Sequence, residues 1–244
     1  MNTIKAVILA AGKGERLKTI TRQLPKPMIE YQGKPILQHN IDLCKSYHIK
    51  ELYINLHYLS EVITHYLGDG SAQGLSITYS QEEELLGTSG AVRRIADQYW
   101  SEKTDNHAPH FFVLYGDNIS WFPLDKLLEK ALSTDATAVI AFHYREDVSA
   151  SGVAEFADDG RMLRFLEKPA PGQTISHWVN AGIYCLHPRI LRDIPAGYSD
   201  FGRDVFPALL CKSESLYGVC LDTPVKAFDT IEMINQSRKS EYDT

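Results

Sequence analysis

The sequence predicts an α/β fold with a mixed, mostly parallel central sheet, and three observations predict it. Apolar runs of strand length alternate with segments of helical periodicity from Ala6 to Tyr144. The first run, Ala6 to Ala11, breaks at Gly12 and Gly14 into a loop rich in positive charge. Between Gly152 and Pro169, two strand-like runs flank Asp158-Asp159-Gly160, a turn signal for an antiparallel hairpin.

The elements follow in order. Ala6 to Ala11 reads as a buried strand. Gly33 makes a turn, and Pro35 stands where a helix starts. Ile36, Leu37, Ile41, Cys44 and Tyr47 recur at roughly helical spacing. Glu51 to Leu56 reads as a strand, Leu59 to Leu67 as a helix and Leu75 to Tyr79 as a strand. Gly87, Thr88, Ser89 and Gly90 read as a turn feeding a helix to about Gln98, whose N-terminus offers N–H donors to a ligand edge. Phe111 to Tyr115 is a short apolar run, a buried central strand that ends in Gly116-Asp117-Asn118. Pro123 to Leu132 reads as a helix and Ala136 to Tyr144 as a strand. After the hairpin, Ser199 to Pro207 opens another helix, to which no catalytic role is given. The segment Phe228 to Ile234 holds a capping box, with Asp229 as N-cap and Glu232 three residues on.

Composition narrows the function. The 244 residues are 44% hydrophobic and 23% charged, ordinary for a globular chain with a sizeable core. A net charge of -6 argues against a nucleic-acid partner. Four cysteines (Cys44, Cys185, Cys211, Cys220) lack C-x-x-C spacing, which fits reduced thiols in the cytoplasm rather than a disulfide scaffold or a zinc site. Met1 to Lys5 is polar and no run reaches membrane-spanning length, so neither a signal peptide nor a membrane partner is expected. No linker, internal repeat or low-complexity tract divides the chain.

Against that acidic background the first loop stands apart. Six basic residues (Lys5, Lys13, Arg16, Lys18, Arg22, Lys26) face one acid, Glu15, in the first 26 positions. Glycines let backbone N–H groups approach an anion, and the cations neutralise it, so the loop is suited to phosphate. It lies where ligands sit in open α/β sheets, beyond the carboxyl end of a strand. Leu17 stands where a dinucleotide fingerprint needs its third glycine and where a P-loop needs its second, which excludes both. Pro25 and Pro27 fix φ on either side of Lys26. At the tip of the central strand, Asp117 could hold Mg²⁺ against phosphate or cap the next segment; spacing alone leaves both open.

The stretch Leu9-Ala10-Ala11-Gly12, Gly14, Arg16-Leu17, Thr21 and Pro25-Lys26-Pro27 resembles the signature of the sugar-phosphate nucleotidyltransferases, also called NDP-sugar pyrophosphorylases. Further matches span nearly the whole chain. The resemblance implies a single mixed-sheet domain related to the Rossmann fold over residues 1–244. Nucleotide would bind in the half at about 1–120 and sugar in the half at about 121–244. It implies nucleotide contacts from Leu9, Ala10, Ala11, Gly12, Gly14, Gly87 and Thr88, with Gln81 as a further candidate for reading the base edge. It implies a sugar-phosphate pocket lined by Gly152, Glu167, Lys168, Asn180 and Gly182. Asp117 becomes a metal ligand, with Asp229 as the second and Asp222 as its rival. The family pattern D-x-G-T-P-E is altered here to Asp229-Thr230-Ile231-Glu232, without the glycine and proline.

The expected reaction joins an NTP and a sugar 1-phosphate, with Mg²⁺, to give an NDP-sugar and pyrophosphate. Arg16, Lys26 and Asp117 would be its catalytic residues. Two alternatives stand beside it. A glycosyltransferase using a sugar nucleotide commonly holds metal with D-x-D, and no two aspartates here are two apart. A non-catalytic sugar-nucleotide sensor is favoured by the altered segment at Asp229 and opposed by the presence of Arg16, Lys26 and Asp117. Leu86-Gly87-Thr88-Ser89-Gly90-Ala91 is similar to the guanylyltransferase branch and Tyr115-Gly116-Asp117-Asn118-Ile119 to the thymidylyltransferase branch, so the base stays open. The sugar stays open too. Members of the resembled family often form dimers or tetramers, so a homo-oligomer is among the expectations.

Overall fold

The computed structural model describes residues 4–12, 14, 17, 21, 24–101, 108–221 and 225–228. Arg16, Asp222 and Asp229, and with Asp229 the predicted capping box, lie outside these residues. The fold class is the one expected, α/β with a mixed sheet. Two compact units share the chain.

One unit comprises residues 5–85, 114–120 and 225–244. Its strands β1 (Lys5–Leu9), β4 (Glu51–Leu56) and β5 (Ser76–Gln81) pair in parallel, in the order β1, β4, β5. All five residues of β4 after Glu51 are buried, which is why the run is apolar except for Asn55 rather than alternating. Two-residue strands β2 (Glu30–Tyr31) and β3 (Lys34–Pro35) form a tight hairpin before α1 (Ile36–Ser46). Helix α2 (Ser60–Leu67) crosses from β4 to β5. The bounds of α1 and α2 fall within one residue of the sequence expectation. Leu17, Ile29, Tyr31, Ile36, Ile119 and Phe228 form a buried cluster. Leu17 therefore anchors the basic loop to a hydrophobic core, a role its place in the loop conceals.

The second unit comprises residues 1–4, 86–113 and 121–224. It holds α3 (Gly87–Tyr99), the first residues of β6 (Phe111–Tyr115), α4 (Leu124–Thr134) and β8 (Ala138–Tyr144). Between β6 and α4 lies β7 (Asn118–Ser120), which belongs to the first unit with the last residues of β6. Strands β9 (Gly152–Phe156) and β10 (Met162–Glu167) make the expected hairpin. Next, β11 (Trp178–Leu186) pairs antiparallel with both β8 and β9. A π-helical turn, Phe201–Val205, leads into α5 (Phe206–Cys211). Strand β12 (Leu216–Cys220) then runs parallel to β8. Parallel pairing thus dominates the first unit, whereas antiparallel pairs dominate the second. The chain returns to the first unit in β13 (Val225–Ala227), antiparallel to β7.

Two histidines of the second unit make its stability depend on pH. Burial pushes both His110 and His143 down from the usual 6.5 to about 4. The neighbouring His187 adds to the effect at His110, and Arg145 adds to it at His143. Unfolded, both would take up a proton below about 6.5, while the folded chain keeps them neutral. Their contribution is therefore complete above that pH and is lost as pH falls from about 6.5 toward 4. It amounts to on the order of 3 kcal/mol for each imidazole. Urea midpoints should fall steeply between pH 7 and pH 5, and His143→Gln should flatten the slope. A midpoint independent of pH over that range would contradict this account.

Candidate functional site

In the first unit the described residues of the loop after β1 are tied together by the backbone of Gly14 and Leu17 and by Thr21. Leu17 N–H donates to the Gly14 carbonyl at 2.9 Å, and Thr21 N–H to the Leu17 carbonyl at 2.9 Å. The Thr21 hydroxyl donates to the Gly14 and Leu17 carbonyls at 3.2 and 3.1 Å. The two glycines do different work. Gly14 has φ +59°, and a Cβ there would meet Thr21 Cγ2 at 2.9 Å and Lys26 Cβ at 3.2 Å. Gly14 lets the loop close on itself. A Cβ on Gly12 would meet nothing within 4 Å, so Gly12 leaves open space at the end of β1. The entrance is fixed from below. Ala10 N–H donates to Asn55 Oδ1 at 2.8 Å, and Asn55 Nδ2 donates to Glu82 Oε1 at 2.8 Å. Both Asn55 and Glu82 are buried.

Lys26 opens a short 3₁₀ turn, Lys26–Met28, after Pro25 at φ -63°. Its Nζ donates to Asp117 Oδ2 at 2.7 Å. The lysine side chain is 7% exposed and the aspartate 42%. A buried cation thus stands behind a carboxylate that faces outward. Asp117 sits in the turn from β6 to β7, which is pinned on both sides. Gly116 N–H donates to the Leu9 carbonyl at 2.9 Å, and a Cβ on Gly116 would meet that oxygen at 2.9 Å. On the other side, Asn40 Nδ2 donates to the Asn118 carbonyl at 2.9 Å. β13, which leads toward Asp229, sets Ala227 opposite Asn118. Gln81, at the end of β5, is exposed, and its amide donates to the His57 carbonyl at 3.3 Å.

In the second unit, Gly87 to Gly90 form the first turn of α3 itself rather than a turn ahead of it. The reason is distant in sequence. The Ser199 carbonyl accepts from Ser89 N–H at 3.1 Å and Gly90 N–H at 3.2 Å, satisfying donors that a helix start leaves open. The Thr88 hydroxyl donates to Asp200 Oδ2 at 2.8 Å and accepts from Phe201 N–H at 2.9 Å. Gly87 is required at φ +73° because a Cβ would lie 2.3 Å from the Ser199 carbonyl oxygen.

The same unit brings Gly152, Glu167 and Asn180 together. Glu167 is opposite Gly152 across the hairpin, and Asn180 lies beside Gly152, one residue from the Val179–Val153 pair. A Cβ on Gly152 would meet Phe165 Cζ at 2.5 Å and Glu167 Oε2 at 2.9 Å, so the glycine is what lets Glu167 lie across β9. Burial first, then the charge of Asp200, raises the Glu167 carboxyl above its usual range, opposed by Lys168 and Arg203. Lys168 follows at φ +52°, an uncommon conformation for lysine, with its side chain exposed. At Gly182, φ +72°, the pairing of β11 with β8 shifts register. Asn180 spans the irregularity. Its Oδ1 accepts from Gly182 N–H at 2.9 Å, and its Nδ2 donates to the Tyr184 hydroxyl at 2.7 Å.

Sequence reasoning passed over Asn40, Asn55, Ser199 and Asp200, whose bonds hold the named residues in place. Asp200 carried one legible signal: an aspartate two residues before a glycine, ahead of a helical run, is an N-cap pattern. Asn55 lies within an apolar run and Asn40 beside the polar Gln38, His39 and Asp42, and neither setting carries one.

Residues 5–224 match the nucleotidyl transferase family. A UTP–glucose-1-phosphate uridylyltransferase of Synechocystis sp. is 34% identical over 231 residues, 90% of this chain and 58% of that protein. Mannose-1-phosphate guanylyltransferase 1 of Arabidopsis thaliana is 33% identical over 220 residues, 89% of this chain and 59% of that protein. The chain thus spans about three fifths of the length of these curated relatives. The crystal structure of a putative glucose-1-phosphate thymidylyltransferase from Bacillus anthracis, in complex with a sucrose, superimposes with a TM-score of 0.83. It is 21% identical, covering 99% of this chain and 96% of that one, and supports the fold. With the family's residues matched from β1 to beyond β12, the chain belongs to the nucleotidyl transferase family.

Proposed function

We propose that the protein joins an NTP to a sugar 1-phosphate, giving an NDP-sugar and pyrophosphate. The observation that carries this reading is the Lys26–Asp117 pair at the open end of β1, in a chain that belongs to the nucleotidyl transferase family. A phosphate oxygen of the sugar 1-phosphate attacks the α-phosphorus. The bond from that phosphorus to the bridging oxygen breaks, and pyrophosphate leaves with the electron pair. The attacking phosphate is already ionised at neutral pH, so no general base is needed. Positioning and charge neutralisation supply the catalysis.

We assign the roles from the family resemblance, taken together with the geometry described above. Gly12 leaves the end of β1 open to phosphate oxygens, and Leu9, Ala10, Ala11 and Gly14 supply backbone around it. Lys26, nearly buried and fixed between prolines, presents a preorganised positive charge to the α-phosphate. Arg16 is assigned to the β- and γ-phosphates. The Thr88 hydroxyl donates to Asp200 and accepts from Phe201 N–H, so the backbone of Gly87 and Thr88 is assigned to the nucleotide; Gln81 is assigned to the base edge. Glu167 accepts from sugar hydroxyls, and Lys168 holds the sugar phosphate, with Asn180 and Gly182 forming the wall.

Asp117 is the residue suited to Mg²⁺. Its outward carboxylate is the hard oxygen donor that ion prefers, and Mg²⁺ commonly takes one or two carboxylates with substrate phosphates completing the shell. Among the described residues no group of three or more His, Cys, Asp or Glu side chains could hold a metal. Asp229 is assigned as the second ligand. When bound, the ion would neutralise charge on the phosphates.

The cytoplasmic setting is assigned from cysteine usage in the sequence, four residues without C-x-x-C spacing. No helix among the described residues is long and apolar enough to cross a membrane.

The test is pyrophosphate release with Mg²⁺, across the common NTPs crossed with a panel of sugar 1-phosphates. A signal that depends on both substrates supports the reading and names base and sugar. Silence across the panel, with NTP binding intact, would overturn it in favour of a sugar-nucleotide sensor. Use of NDP-sugars as donors would favour a glycosyltransferase.

A further inference from the structure

Asp200 stands at the crossing of two parts of the second unit that the reaction assigns to different substrates. One of its carboxylate oxygens, Oδ2, accepts from the Thr88 hydroxyl at 2.8 Å. The other, Oδ1, accepts from Gly202 N–H at 3.0 Å and Arg203 N–H at 3.3 Å, capping the π-helical turn. Phe201 N–H returns a bond to Thr88 Oγ1 at 2.9 Å, so Thr88 and this segment exchange donors in both directions. The residue before Asp200 joins in. Ser199 accepts from two N–H groups of α3 through its carbonyl, and its hydroxyl shares a 2.7 Å hydrogen bond with that of Ser89. Gly202, held by the Asp200 cap, is pressed against the hairpin end: a Cβ there would meet Glu167 Oε2 at 2.7 Å. π-helical turns concentrate at functional sites, where the extra residue redirects the backbone.

We propose that Asp200 is a positioning residue, which locks the first turn of α3 at Thr88 and, through Gly202, sets the place of the Glu167 carboxylate against the sugar. The substrate assignments of Thr88 and Glu167 rest on the reading above; the coupling itself does not. A residue that only stabilised the fold would lower the melting temperature and leave the ionisation of Glu167 alone. Asp200 does more: it holds Gly202, which lies against the Glu167 carboxylate, and its charge acts on that carboxyl. The charged groups around Glu167 are Asp200, Lys168 and Arg203. With Asp200 neutralised only the two cations remain, and Glu167 must lose its proton at lower pH.

The experiment uses the whole chain with Asp200→Asn and Asp200→Glu. The Glu167 side-chain carboxyl is followed by ¹³C NMR across a pH titration without substrates, its resonance assigned with Glu167→Gln. The expected result is a midpoint moved to lower pH in Asp200→Asn and largely restored in Asp200→Glu. In the turnover assay the acidic limb of kcat/KM for the sugar 1-phosphate should move the same way. A Glu167 midpoint unchanged in a folded Asp200→Asn protein would overturn the proposal. Should Asp200→Asn fail to fold, Thr88→Val provides the second route. Removing the hydroxyl that Asp200 grips should raise the KM for the sugar 1-phosphate several-fold, and an unchanged KM overturns the coupling. If the wild type shows no turnover at all, the reaction assignment fails while the NMR titration still decides the coupling.

Discussion

Replacing Lys26 with alanine is expected to slow pyrophosphate release at saturating substrates by about 10²-fold or more, the usual scale for losing one preorganised charge contact to a transition state. The argument rests on where the charge is kept. The Lys26 side chain is 7% exposed, its backbone begins after Pro25, and its Nζ is held 2.7 Å from Asp117. Little water has to be displaced and little side-chain freedom lost when a phosphate arrives. The carboxylate left behind is 42% exposed and can be hydrated, so the stability cost should come from the lost packing of the buried lysine stem rather than from an orphaned charge. Steady-state rates and urea midpoints on the same preparation separate the two effects. A near-normal rate with normal stability would remove Lys26 from the mechanism.

Asp117→Asn is expected to lose both rate and stability. Turnover should fall by about 10³-fold, because the outward carboxylate is the donor assigned to the metal and its neutral amide is a poor ligand. Stability should fall as well, by about 1–3 kcal/mol, since a nearly buried ammonium loses its anionic partner. Raising Mg²⁺ should recover part of the rate and none of the stability. The check is a Mg²⁺ titration of the rate alongside chemical denaturation. Turnover within ten-fold of wild type at low Mg²⁺ would show that Asp117 serves the fold alone.

How much of this was legible in the sequence depended on how local its cause was. β4 and β6 matched their expected bounds residue for residue, because a strand buried on both faces writes itself as an apolar run between polar ends. The loop glycines and the Lys26 prolines were legible for the same reason: φ and access are properties of single residues. The start of α3 was not. Gly87-Thr88-Ser89-Gly90 carries a turn composition, and becomes helix because the Ser199 carbonyl and the Asp200 carboxylate arrive from more than a hundred residues away. Strands β7 and β13, three residues each, are too short to leave a period. Asp117 was visible as a strand-end carboxylate, but its buried lysine partner 91 residues earlier was visible only once the fold joined them.

The most direct test of the central claim follows the oxygen atoms. Sugar 1-phosphate carrying ¹⁸O in its non-bridging phosphate oxygens is turned over with unlabelled NTP and Mg²⁺, and the products are read by the isotope shifts of their ³¹P resonances. Attack by the sugar phosphate on the α-phosphorus predicts NDP-sugar labelled at the sugar-side phosphorus, with ¹⁸O in the new bridge, and pyrophosphate free of label. Label in the released phosphates, or an NDP-sugar bridge of ordinary oxygen, would contradict the assignment of Lys26 and Asp117 to nucleotidyl transfer at the α-phosphorus.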